Sequence, residues 1–404
     1  MNKRKPIDLY LSKQTQFIVN KIEVNRCPDI VVAIPCYNEN NISKSIHSLL
    51  ANDVEQIYTH IIVVVNHSEN SLPEIVEANY KTVKELEAIK DSINVSNFSL
   101  EIIKAFDLPH KKAGVGLARK IGMDHACEIF NYFDQDGIIS CFDADSLCLK
   151  NYLKTIFRTF HNNPKVDGIS IQFEHPKSGN EYEEEIYLAI DQYEKHLNYY
   201  IDIQKFINLP FAFHTVGSSM AVRAISYAKF GGMNIKKAGE DFYFLQKFIE
   251  NGTVIECNDT KVIPSPRISD RVPFGTGKAV GDLTNASSVI YYTYDPKSFM
   301  KLKELVDLIN ELYFNDQSIN SYKLHPGLMK FLEIINIDSK IQEAKSNTTD
   351  LIGFRRRFFK HFNAFQLMKY VHYMRDNYFP NIPVEEAISQ FSLIKSCNTT
   401  GNAN

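Results

Sequence analysis

Two carboxylates separated by one small residue, Asp143-Ala144-Asp145, end an apolar run that begins at Ile138. Read as the exit of a buried strand, whose side chains alternate with period two, both project to the same side. Paired hard oxygen donors, with Ala144 leaving room between them, suit Mg²⁺ or Mn²⁺ shared with a phosphorylated substrate. A plainer reading is a solvated Asp-rich turn capping the next helix, and the pair alone does not separate the two. A second acidic pair, Glu240-Asp241, follows Gly239 at the start of a predicted helix. Carboxylates there interact favourably with the helix dipole whatever else they do.

These groups need a frame. Ile30-Val31-Val32-Ala33-Ile34-Pro35 and Ile61-Ile62-Val63-Val64-Val65 are unbroken apolar runs, as strands buried on both faces require. Leu100–Ala105 is a third strand, and the run into Asp143 a fourth. Helical patterns lie between them, through Leu50, from Pro73 to Lys90 and over 114–133. Strands alternating with helices at this spacing predict right-handed crossovers and an α/β fold with a mostly parallel sheet. Ligands in such sheets bind at the carboxyl ends of the strands. Those ends carry Tyr37-Asn38-Glu39, Asn66-His67-Ser68, the basic loop His110-Lys111-Lys112 and the Asp pair. All four polar clusters are therefore predicted on one edge.

Beyond 150 the pattern changes. A strand is predicted over 166–173, a long helix over 181–206 and a strand over 254–257. A small-residue loop, Phe211–Ser219, enters a short strand at Met220–Val222. Residues 264–288 are rich in Pro, Gly and Ser, carry Arg267, Arg271 and Lys278, and read as one long irregular segment; such segments often serve as lids. From 297 the pattern is helical. It includes Phe354-Arg355-Arg356-Arg357-Phe358-Phe359-Lys360-His361-Phe362, read as an amphipathic helix with Phe inward and Arg outward. Peripheral contact with an anionic membrane or a lipid-linked acceptor is the alternative for that stretch.

With 404 residues the chain can bury a sizeable core, and 44% hydrophobic and 23% charged residues are ordinary for a globular protein. A net charge of −3 gives no electrostatic case for nucleic acid. No run approaches a membrane span, and the first residues lack the apolar core of a signal peptide. Seven cysteines without metal-ligand spacing point to a reducing cytoplasm. Gly114-Val115-Gly116 lacks the third Gly of a dinucleotide fingerprint, and Gly275–Ala279 lacks the spacing of a P-loop.

Taken in order, Ile34-Pro35-Cys36-Tyr37-Asn38-Glu39, Gly114-x-Gly116-x-x-Arg119, Asp143-Ala144-Asp145, Gly231-Gly232 and Glu240-Asp241 resemble the family 2 glycosyltransferases of GT-A fold. The likeness covers about residues 28–260. It implies a Rossmann-like, mostly parallel sheet flanked by helices, with a C-terminal helical extension. The domains it implies are an N-terminal arm over 1–28, a GT-A domain over 29–290 and a helical region over 291–404. Within 29–290, the nucleotide-sugar half covers 29–150 and the acceptor half and lid 151–290.

The resemblance assigns Pro35, Tyr37, Glu39 and Asn66 to the nucleoside. Asn66 stands where the family usually has Asp, so it can hydrogen-bond but brings no charge. It places Lys112 and Arg119 toward base and phosphates; apart from the resemblance, Arg267, Arg271 and Lys278 are cations of a Gly-rich segment that could close over the diphosphate as a lid. Asp145, with Asp143 acting through ribose or water, would hold a divalent cation, Mn²⁺ or Mg²⁺, on the leaving diphosphate. Asp241, beside Glu240, would be the general base of an inverting reaction, and His214, Gly217 and Ser218 would form an acceptor wall.

The activity so implied is transfer of a single sugar from a nucleoside-diphosphate sugar to a glycan or lipid-linked acceptor in cell-surface glycan or glycolipid synthesis. Its setting would be the cytoplasm or the inner face of the membrane. A processive synthase is disfavoured by the missing Gln-x-x-Arg-Trp motif. The rivals are a retaining GT-A transferase and a catalytically silent sugar-nucleotide-binding partner subunit.

Overall fold

Eight strands form one sheet in the order β3-β2-β1-β4-β7-β6-β8-β5. They are β1 Ile30–Cys36, β2 Thr59–Ser68, β3 Phe98–Leu108, β4 Ile138–Cys141, β5 Leu147–Cys148, β6 Gly168–Phe173, β7 Met220–Arg223 and β8 Val254–Ile263. The computed structural model describes residues 5–14 and 21–401. β1 pairs in parallel with β2 and β4, and β2 with β3. β7 runs antiparallel to both its neighbours, and β5 antiparallel to β8. The predicted α/β, mostly parallel sheet is present.

The apolar runs become strands because both faces of the sheet are covered. Every residue of β1 is buried, and so are the first nine of β2. The helix Val115–Tyr132 lies against them, and its Gly122 brings backbone close to Ala33, Ile62 and Val64. Each such buried Val or Ile contributes about 1.5–3 kcal/mol relative to exposure. Polar groups on the covering helix are matched. Tyr10, in the helix Lys5–Leu11, donates to Asp124 at 2.7 Å, and Tyr227 donates to the same oxygen at 2.6 Å. Of the N-terminal arm predicted over 1–28, residues 1–4 and 15–20 lie outside the described residues.

A buried ionic chain crosses between β2, β3 and the same helix. Glu101 faces His60 at 3.0 Å and His125 at 2.9 Å, and the other ring nitrogen of His125 meets Glu128 at 2.8 Å. Burial works against a charged His125, but its two carboxylate partners raise its pKa to about 9. Burial likewise opposes ionised Glu101, yet His125 and His60 lower its pKa to about 2.

The chain divides into two compact units. One joins the chain up to Gly179 with His214–Lys278 and contains the whole sheet. The other joins Asn180–Phe213 with the chain from Ala279 onward. The sequence reading drew its line at 290 instead.

In the second unit the long helix Glu184–Phe206 sets Tyr199 edge-on to Phe299 and Phe391. The C-terminal region is helical as predicted. Its basic-aromatic stretch is the helix Leu351–His361, with Phe354, Phe358 and Phe359 buried and Arg356 and Lys360 exposed. Among the described residues no helix is long and apolar enough to cross a membrane.

The segment predicted to be irregular over 264–288 contains a helix, Thr276–Thr284. Its apolar residues Val280 and Leu283 join a small core with Ala189 and Ile190, a tertiary match that local composition does not reveal.

Candidate functional site

Because β1 to β4 are parallel, their exits share one rim: Tyr37–Glu39, Asn66–Ser68, Pro109–Lys112 and Phe142–Asp145. β7 runs the other way, so its entrance, Gly217–Ser219, reaches the rim that the others reach with their exits. Sequence alternation predicted Asp143 and Asp145 side by side at a strand end. The structure corrects this. β4 stops at Cys141, the last ladder bond runs from Phe142 N–H to the Ala33 carbonyl, and a turn follows, closed from Ser146 N–H to the Asp143 carbonyl. Period two therefore does not apply, and the two carboxylates meet different cations.

Asp143 meets Arg119. This arginine lies one turn into an apolar helix with its side chain only 2% exposed. Its Nη2 donates to Asp143 Oδ1 at 2.6 Å and its Nη1 to Glu240 Oε1, while Nε has no hydrogen-bond partner among the described residues. A buried guanidinium is tolerated only when carboxylates compensate it, and here two do. Room for it comes from Gly217, where an added Cβ would lie 2.7 Å from Nη2. Gly116, on the same helix, permits another close approach: its Cβ would fall 2.3 Å from the Lys236 carbonyl. That packing accounts for the second glycine of the Gly114-x-Gly116 pattern.

Glu240 is buried, and Asp241 beside it is half-buried at the first turn of the helix Glu240–Asn251. Asp241 Oδ1 accepts the Phe242 N–H at 2.8 Å. Burial, then the neighbouring Glu240 charge, raise the pKa of Asp241 to about 7, against the lowering pull of Arg119 and of that backbone bond. A carboxylate so placed takes up a proton near neutrality, as a general base must.

Asp145 meets Arg267, whose Nη2 lies 2.7 Å from Asp145 Oδ2. The same guanidinium forks onto the buried Glu39, Nη1 to Oε1 at 3.0 Å and Nη2 to Oε2 at 2.5 Å. Arg271 adds a contact to Glu39 at 3.7 Å, donates to the Asn38 carbonyl at 2.7 Å and lies 5.8 Å from the Tyr37 ring centroid. Burial raises the pKa of Asp145 to about 6, with Asp143 and Glu39 adding to the rise and Arg267 and Arg271 opposing it.

Asn38 has a left-handed backbone, φ 48°, and its N–H is taken by Asn79 Oδ1 at 2.9 Å. Asn79 also donates to the Asn66 carbonyl at 2.9 Å, which ties the first two exits together.

The remaining predicted residues are placed as follows. Pro35 is buried within β1, Tyr37 is half-buried and Asn66 is buried at the end of β2. Lys112 is half-buried in the loop before the Arg119 helix, and Lys278 is half-buried in the helix Thr276–Thr284. His214 lies edge-on to Phe173 at 5.0 Å, and its carbonyl accepts Ser170 Oγ at 2.7 Å. Ser218 is 1% exposed, inside the turn before β7. Composition pointed to Arg267 but not to its bond with Glu39, 228 positions away, and nothing in the sequence singled out Asn79.

A divalent cation fits the oxygen-only pair Asp143 and Asp145. Asp145 is crowded by Asp143 and Glu39, and it already takes a cationic partner in Arg267. Among the described residues no three His, Cys, Asp or Glu side chains are grouped to hold a metal ion, so further ligands would come from water or substrate.

Residues 31–222 match the model of glycosyl transferase family 2. No curated protein matches the chain. Among solved structures, S. aureus TarS 1-349 in complex with UDP-GlcNAc is 13% identical, with 90% of this chain and 92% of that chain covered and a TM-score of 0.42. S. aureus TarS 1-349 alone is 12% identical, with 90% and 91% covered and a TM-score of 0.40.

Proposed function

We propose that this chain, whose residues 31–222 match the model of glycosyl transferase family 2, is a glycosyltransferase that transfers a single sugar from a nucleoside-diphosphate donor to an acceptor hydroxyl with inversion. The observation that carries this reading is the position of Asp241, in the first turn of its helix beside the Glu240 that Arg119 ties to Asp143, with burial and Glu240 raising its pKa to about 7. Asp241 removes the acceptor proton as the hydroxyl oxygen bonds to the anomeric carbon. The bond from that carbon to the diphosphate breaks on the opposite face, and its electron pair leaves with the phosphate oxygen. One base suffices because the leaving group needs no protonation.

Arg119 holds Asp143 and Glu240 in place beside that base. Pro35, Tyr37, Glu39 and Asn66 would take the nucleoside, Lys112, Arg271 and Lys278 the diphosphate, and His214, Gly217 and Ser218 the acceptor. Asp145 and Asp143 would hold Mn²⁺ or Mg²⁺, which when bound neutralises the departing diphosphate. The acceptor is a glycan or lipid-linked precursor of cell-surface material, met in the cytoplasm or at the inner membrane face. The exposed Arg356 and Lys360 are cations suited to an anionic surface.

The test is a panel of nucleotide sugars with Mn²⁺, the product anomer being assigned by ¹H NMR. An inverted product that disappears in Asp241→Asn, with donor binding retained, is the expected result. A product of retained configuration would replace the reading with a retaining transferase.

A further inference from the structure

Arg267 occupies the very carboxylates on which the proposed reaction would seat a cation. Its ion pairs join Glu39 to Asp145, at 2.5 and 2.7 Å from one nitrogen. Glu39 is 2% exposed, so an unpartnered charge there would be costly, and Arg271 at 3.7 Å is a weaker second partner. A guanidinium and a dication repel one another at the same Asp145 carboxylate. The guanidinium fork, however, suits phosphate as well as carboxylate. The segment that carries Arg267 follows β8 and is irregular as far as the helix at Thr276, so the arginine is not fixed by a ladder or a helix.

We propose that Arg267 is a displaceable internal counter-cation. Before the donor binds, it neutralises Glu39 and Asp145 together. When a diphosphate arrives with a divalent cation, Arg267 yields Asp145 to the cation and turns the Nη2 N–H so freed to a phosphate oxygen, while its Nη1 stays on Glu39. No covalent bond changes. This rests on the metal-dependent transfer proposed above and adds an ordering to it: the cation alone binds weakly because it must displace an arginine, and diphosphate strengthens it by giving that arginine a new partner. The coupling is reciprocal, so the cation strengthens diphosphate binding by the same factor.

The experiment titrates Mn²⁺, with the free aquo ion followed by electron paramagnetic resonance, against the full chain with and without inorganic pyrophosphate. Wild type should bind Mn²⁺ weakly alone and more tightly with pyrophosphate. Arg267→Gln should bind Mn²⁺ alone at least about tenfold more tightly, because the competing charge is gone, and should lose most of the pyrophosphate enhancement. Arg267→Lys, which keeps the charge but cannot span both carboxylates, should fall between them, and it serves as the test if the Gln variant fails to fold.

Mn²⁺ affinity unchanged or lower in both variants, with binding still abolished by Asp145→Asn, overturns the counter-cation while leaving the metal site standing. Mn²⁺ binding indifferent to Asp145→Asn removes the metal from the reaction, and the counter-cation with it.

Discussion

Replacing Arg119 by Met tests whether the rim is held by one buried charge. Methionine keeps much of the side-chain stem, so the loss is chiefly the guanidinium. Two carboxylates are then left without their cation. Glu240 has a side chain 5% exposed, and stripping a buried partner costs about 3–5 kcal/mol. Asp143 is 35% exposed and can rehydrate, so its share is at most about 1 kcal/mol. The expected loss is therefore about 3–5 kcal/mol, set almost wholly by Glu240. Urea unfolding at neutral pH, followed by circular dichroism, measures it, and an unchanged slope identifies the loss as stability and not a looser ensemble. The double variant Arg119→Met with Glu240→Gln removes the orphaned charge and should recover about 1–3 kcal/mol relative to simple addition. A single-variant loss below about 1 kcal/mol, or strict additivity in the double, would show that the buried pair does not hold the rim. Arg119 also lowers the pKa of Asp241, so the residual activity of Arg119→Met should shift to higher pH.

Other outcomes follow from the same geometry. As the proposed base, Asp241 would act deprotonated, so kcat/KM should rise as pH passes through about 7 and then level off. Its acid limb should fall about tenfold per pH unit; a flat profile across that range would exclude Asp241 as the base. Gly217→Ala places a Cβ 2.7 Å from Arg119 Nη2, and should cost about 1–3 kcal/mol in denaturant and lower kcat. Wild-type stability and rate in that variant would mean the guanidinium has slack. Glu101→Gln should destabilise the sheet-bearing unit at neutral pH. His125 carries a raised pKa of about 9, so its contribution is full below the unfolded value of about 6.5 and is lost as pH rises through about 9. Glu101, lowered to about 2, contributes above about 4.3 and loses that contribution as pH falls through about 2. The variant's stability should accordingly decline less than wild type's between about pH 6.5 and 9, measured by urea titration at both ends.

The parts of the fold that were legible in the sequence are those where one physical requirement dominates. Val31–Ile34 and Ile61–Val65 read as strands because a strand covered on both faces must be apolar at every position. The rim was legible because polar residues clustered where each apolar run stopped. What escaped depends on partners distant along the chain. Nothing near Arg119 announces that Glu240, 121 positions on, compensates it. Nothing near Glu39 announces Arg267. The helix Thr276–Thr284 escaped because its stability comes from Val280 and Leu283 meeting Ala189 and Ile190, not from local propensity. Asp143-Ala144-Asp145 was assigned to the right edge but the wrong geometry, since alternation was extended past the last ladder bond at Phe142.

The reversed direction of β7 has a consequence for how such a molecule can change. Four parallel strands are locked by register to one another, so a residue gained within any of them turns every later side chain of that strand to the wrong face. The turn ahead of Met220 precedes its strand, so a change in it leaves the pairing of Met220 with Cys141 in register, within the room that Gly217 leaves for Arg119 and the bond from Ile171 N–H to the Ser219 carbonyl. Recomposing the turn where those contacts are spared revises one part of the rim while the four parallel exits keep their alignment.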